Sequence, residues 1–226
     1  MARITIDVVI DIGCPFCYVA LKRITRAIQT HQDRCPNDSI IVQWHPMILQ
    51  PNAPKVSIDI STYIASVFGP EAKDAKLARE QALGRAEGIN FNNRRKIGST
   101  YDGHRLIHLA GEKSSTMQLA VVKRLFEGHF EDGQDQSSYD FLMSVAVESG
   151  IERSEAKAWL NSRAGALEVD EKIAKATMRG VKVVPDITIA GRYRIGTGYE
   201  TDRLIHVLER LEQRESKMTV SEDWKY

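Results

Sequence analysis

The first apolar run, Ile4-Thr5-Ile6-Asp7-Val8-Val9-Ile10, is β-branched and almost unbroken, which predicts a strand over about residues 4–10 covered on both faces. Beyond Asp11-Ile12-Gly13 the period changes. Cys17, Leu21, Ile24 and Ile28 recur at helical spacing on one face, with Lys22, Arg23 and Arg26 on others. Pro15 suits a first helical position, where its missing N–H costs nothing. A loop at Cys35-Pro36-Asn37-Asp38 leads to a second strand, Ile40–Trp44, and Pro46, Pro51 and Pro54 preclude a long helix behind it. The order β-α-β predicts a parallel pair with a right-handed crossover.

From about residue 60 to 178 helical periods dominate, over roughly 71–87, 103–112, 115–130, 138–148, 153–162 and 166–178. In the third of these, Leu119, Val122, Phe126 and Phe130 form one apolar stripe. No period recurs, so a repeat architecture is not expected. Strand character returns at Val181–Val184, Ile187–Ile189 and Tyr193–Ile195, with Gly191-Arg192 suited to a hairpin turn between the last two. A final helix over about 200–214 carries Leu204, Val207, Leu208 and Leu211 on one side. The expected organisation is a discontinuous α/β domain, residues 1–59 and 179–226, split by an all-helical insertion over 60–178.

Composition narrows the partners. The 226 residues carry a formal charge of +1, which points to neither nucleic acid nor a membrane surface. No apolar run approaches the roughly 18 residues of a membrane span. The N-terminus lacks a basic region followed by an apolar stretch, so a cytoplasmic protein is expected. Three cysteines cannot build a disulfide framework, and two of them, Cys14 and Cys17, form a C-x-x-C pair.

That pair lies between a predicted strand and helix, the mark of a thioredoxin-like dithiol. At a helix N-terminus, unpaired N–H groups and the macrodipole favour the Cys14 thiolate, the attacking form. Cys17, one turn on, faces the same way and can resolve a mixed disulfide. Zinc is the rival reading, but it needs four ligands, and neither a second pair nor the spacing of His104 and His108 supplies them. Two buried core cysteines are the third. Val183-Val184-Pro185-Asp186-Ile187 is the second element, because proline beside a central strand needs a special reason. A cis bond at Pro185 would present the Val184 backbone to a substrate strand; a trans bond would begin an edge strand. Asp186 is expected either beside the dithiol, raising the thiol pKa values and accepting a proton, or as a solvated turn residue. Phe16 offers apolar contact near the cysteines.

Cys14-Pro15-Phe16-Cys17-Tyr18, Trp44-His45-Pro46, Glu87-Gly88-Ile89-Asn90-Phe91 and Tyr101-Asp102-Gly103-His104-Arg105-Leu106, followed by Gly180-Val181 through Pro185, occur in a telling order. With them the chain resembles the DsbA-like thioredoxin superfamily, in its FrnE-like branch. That branch lies near the 2-hydroxychromene-2-carboxylate isomerases and kappa-class glutathione transferases. The resemblance implies a thioredoxin fold with a large helical insertion, a cis-proline at Pro185 and thiol-disulfide oxidoreductase activity. Cys14 and Cys17 would be catalytic, and Pro15, Phe16, Val184, Pro185, Asp186, His104 and Arg105 would bind substrate. Its isomerase and transferase relatives use glutathione and commonly have serine where Cys14 stands. Glutathione as a co-substrate therefore stays open, with no tightly bound cofactor and no metal expected. So do a small-metabolite substrate, a non-catalytic binder and a homodimer.

Overall fold

The computed structural model describes residues 3–54, 56–197 and 199–222, with 213–222 as backbone alone. Gly198 lies outside the described residues. Strand β1 (Arg3–Ile10), helix α1 (Pro15–Arg34) and strand β2 (Ser39–Pro46) open the chain. A short strand β3 (Ile58–Asp59), α2 (Ile60–Phe68), α3 (Ala72–Ala86) and a second short strand β4 (Lys96–Ile97) follow. Then come α4 (Tyr101–Lys113), α5 (Ser115–Phe130), α6 (Tyr139–Glu148), α7 (Arg153–Leu160) and α8 (Ala166–Met178). Strands β5 (Asp186–Ile189) and β6 (Tyr193–Gly196) and helix α9 (Thr201–Glu222) complete it.

The main sheet has the order β2-β1-β5-β6. β1 and β2 pair in parallel from Arg3↔Ser39 to Ile10↔Pro46, as a β-α-β crossover requires. β5 joins β1 antiparallel, with Val9 opposite Asp186, and β6 folds back on β5 through a turn with positive φ at Ala190 and Gly191. Thus β1 is central and lies beside a segment more than a hundred residues away in sequence.

Its two faces differ, contrary to the expectation of even cover. Ile4, Ile6, Val8 and Ile10 are buried in the core, whereas Thr5 and Asp7 on the other face are only half-buried. The segment Val181–Val184 is not a strand. α8 ends on Gly180 at φ +78 with Val181 N–H bonded to Ala176 O, and the chain reaches the sheet only at Asp186. Helix α2, absent from the sequence reading, packs Ile60 and Ile64 with Leu77 and Ile97 in a small second cluster.

One hydrophobic core runs from the sheet into the helices, joining Ile6, Val8 and Ile187 to Leu106, Val122 and Phe126. In α5 the expected stripe is displaced by one residue at its start: Leu119 is exposed and Gln118 is buried. The Gln118 amide accepts from Trp44 N–H and donates to Trp44 O, both at 3.2 Å, so a side chain serves the outer edge of β2 where another strand would.

Candidate functional site

The end of β1 builds the site. Asp11 turns the chain by accepting the Gly13 N–H on Oδ1 at 3.0 Å, an Asx turn, while Leu49 N–H bonds its Oδ2 at 2.7 Å. Cys14 N–H bonds Asp11 O at 3.0 Å, and Cys14 becomes the N-cap of α1 with Pro15 behind it. No acidic residue occupies the first turn of that helix. The helix end therefore keeps its positive polarity.

Both thiols are free. Cys14 is 5 % exposed and Cys17 fully buried, so Cys14 is the outer residue of the pair. The Cys14 thiol donates to Val184 O at 3.7 Å, across 170 residues of sequence, and the Val184–Pro185 peptide bond is cis. Burial, and then hydrogen bonding to Cys14, push the Cys17 thiol well above its ordinary range; the nearby charges of Cys14 and Asp11 add to this. Cys17 is thereby kept as the protonated member of the pair at neutral pH.

Asp11 is a carboxylate whose charge bears on Cys17, raising its thiol pKa. Burial would raise the Asp11 pKa, but the neighbouring His104, with the Leu49 and Gly13 N–H donors, outweighs it and holds the carboxyl below the usual range. His104 Nε2 stands 3.7 Å from Asp11 Oδ1, an ion-pair separation. His104 thus lies under the turn and does not line a cleft; it is 2 % exposed. Asp186 is also buried, but its carboxylate turns to Arg194, which holds it through Nε at 3.2 and 3.1 Å and Nη2 at 2.8 Å.

Arg105 is likewise not a substrate-cleft residue. It is buried and gives Nε to Ala164 O, Nη1 to Asp102 and Nη2 to Trp159 O and Ser162 O, at 2.7–2.9 Å. Such a clamp ties α4 to the turn between α7 and α8. Phe16 is half-buried against the core, and Tyr18 is fully inside it, stacked on Phe126 and Phe130 and bonded to Glu131. Tyr199 is a neighbour of the dithiol that the sequence reading did not single out as a site residue. Its hydroxyl pKa is raised by burial and by both cysteines, against the opposing Arg23 cation.

Among the described residues, His31, Cys35 and Glu212 bring potential metal ligands within 4.8 Å of one another. They sit near the opposite end of α1 from the dithiol, and His31 Nε2 is engaged by Asp38 at 3.1 Å. No described helix is long and apolar enough to cross a membrane.

Known proteins share this architecture. The family model of the DSBA-like thioredoxin domain matches residues 5–212. A probable DsbA oxidoreductase from Streptomyces coelicolor superposes with a TM-score of 0.78 at 26 % identity, over 92 % of this chain and 89 % of that one. A 2-hydroxychromene-2-carboxylate isomerase gives 0.67 at 19 %, over 96 % and 98 %. The cytosolic disulfide reductase DsbM from Pseudomonas aeruginosa gives 0.63 at 15 %, over 92 % and 98 %, and 0.60 in its structure with GSH. The chain has no match among curated proteins.

Proposed function

The chain belongs to the DSBA-like thioredoxin domain family, and on that premise we propose that it is a thiol-disulfide oxidoreductase with Cys14 attacking and Cys17 resolving. The observation that carries this reading is the Cys14 thiol on Val184 O at 3.7 Å, with its resolving partner one turn behind. A substrate strand pairing with the Val184 backbone would bring its sulfur to Cys14, the outer thiol of the pair.

The electrons balance simply. The Cys14 thiolate attacks a substrate disulfide, its S–S bond breaks, and one half leaves as a thiolate that takes a proton from water. The other half stays as a mixed disulfide on Cys14. Cys17 then gives up its proton, attacks Cys14 Sγ and expels the second thiolate, closing a Cys14–Cys17 disulfide. Two electrons have passed to the substrate. Two thiol equivalents restore the enzyme, and glutathione fits this part, since DsbM of the same fold is known with GSH.

Insulin reduction with glutathione as donor tests the reading. The parent protein should turn over and Cys14→Ser should not, while Cys17→Ser should accumulate a mixed disulfide visible by mass spectrometry. Activity in Cys14→Ser equal to the parent would overturn it. A second reading, a glutathione-dependent isomerase, is supported by the likeness to 2-hydroxychromene-2-carboxylate isomerase across 98 % of that chain. Such an enzyme would bind glutathione, leave insulin intact and tolerate Cys17→Ser.

A further inference from the structure

A helix laid on a central strand ordinarily buries apolar side chains between the two. Beneath α8 this cover is partial. Ala176 and Ile173 pack on the core, but beside them a cavity of about 280 Å³ lies between the helix and the sheet, ample for several water molecules. Asp7, His45, Asp186, Thr188 and Arg194 line its sheet side. From α8 and the loop after it come Lys172, Lys175 and Arg179, with Ala176 and Val181 between them. This is the space that leaves the second face of β1 half-covered.

The acids in this cavity are already matched. Asp7 Oδ1 is 2.8 Å from His45 Nε2, and Asp186 is held by Arg194, whose remaining donors reach Arg179 O and Gly180 O. The α8 cations are not matched. Among the described residues, Lys175 and Arg179 have no carboxylate within ion-pair distance, and Lys172 Nζ rests 3.0 Å from His108 Nδ1. Positive charge therefore collects on one wall. Val9, Ala176 and Val181 supply an apolar surface next to it.

We infer that this cavity binds a small organic anion. Its carboxylate or phosphate group would sit among Lys172, Lys175 and Arg179, and its apolar body against Val9, Ala176 and Val181. Arg and Lys donors recognise either headgroup by charge-assisted hydrogen bonds, and convergent polar groups beside an apolar surface orient a small molecule in a concave site. The inference makes no use of the thiols and stands apart from the oxidoreductase reading.

Fluorescence titration tests it, with anilinonaphthalenesulfonate as the anionic probe and N-phenylnaphthylamine as its uncharged parent. The sulfonate should bind one saturable site. Binding should weaken by about tenfold or more in Lys175→Ala/Arg179→Ala, two exposed positions, as expected for losing charged donors. The uncharged probe should not respond to that variant, and alkylating Cys14 should leave the sulfonate titration unchanged. Phenyl phosphate or phenylacetate should displace the sulfonate, and the better competitor names the headgroup. The inference fails if sulfonate binding does not saturate, if the double variant stays within about twofold of the parent, if Cys14 alkylation abolishes binding, or if neither competitor acts. A thermal midpoint equal to the parent's in the double variant excludes misfolding as the cause.

Discussion

Arg105 shows how much a single residue's neighbours decide. All its guanidinium contacts go to its own chain, three of them to backbone carbonyls around the α7–α8 turn. Replacing it with leucine strands those carbonyls and should cost about 2–4 kcal/mol in urea unfolding, while disulfide reductase activity per folded molecule stays near the parent's. A cleft residue would give the opposite pattern. In sequence, His104-Arg105 beside Asp102 looks like a polar helix face; the burial comes from the α7–α8 turn folding over it, which no local pattern reports. Asp11 was more legible than the reading allowed, because Asp-x-Gly before a C-x-x-C is itself an Asx-turn signal. His129 belongs to the same scale. It is fully buried, and burial chiefly lowers its pKa from 6.5 to about 4. The unfolded chain therefore takes up this proton first. Stability should be insensitive to His129 above pH about 6.5 and should decline as pH falls toward about 4, by at most about 3 kcal/mol. In His129→Gln that part of the slope of denaturation midpoint against pH should vanish.

Elements whose own residues agree with their final state were readable; those shaped by distant partners were not. β1, α1, β2, the β5–β6 hairpin and helices α3 to α9 announce themselves by period, proline and turn residues. Helix α2, Ile-Ser-Thr-Tyr-Ile-Ala-Ser-Val-Phe, is rich in weak helix formers, and its packing against Leu77 and Ile97 overrides that preference. Val181–Val184 is the reverse case: β-branched residues sit in a loop because Val184 O faces Cys14. Packing between elements also reaches the site. A Cβ on Gly103 of α4 would stand 2.3 Å from Cδ1 of Ile12, inside the turn that carries Asp11 and Cys14. Gly103→Ala should lower stability by about 1–3 kcal/mol and, by displacing Ile12, slow insulin reduction; thermal melting and the activity assay check the two halves.

For the whole molecule, the continuous core from Ile6 to Phe126 predicts one unfolding transition. Far-ultraviolet circular dichroism, dominated by the helices, and fluorescence of Trp44 in β2, read in a Trp159→Phe/Trp224→Phe background, should give coincident denaturant midpoints; separated midpoints would show the helical block melting alone. The thioredoxin-like architecture with helices interposed was legible because both halves of the sheet carry strand periods at the two ends of the chain. The polar space beneath α8 was not, since it depends on which face of β1 the helix leaves uncovered. That same sheet has a consequence for synthesis. β2 ends at Pro46 and β5 begins at Asp186, so roughly 140 residues must leave the ribosome between them, on the order of ten seconds at common rates of translation. Throughout that interval the nascent chain carries Cys14 and Cys17 without the loop that later shields them, and any oxidant or electrophile in the cell meets them before the fold is finished.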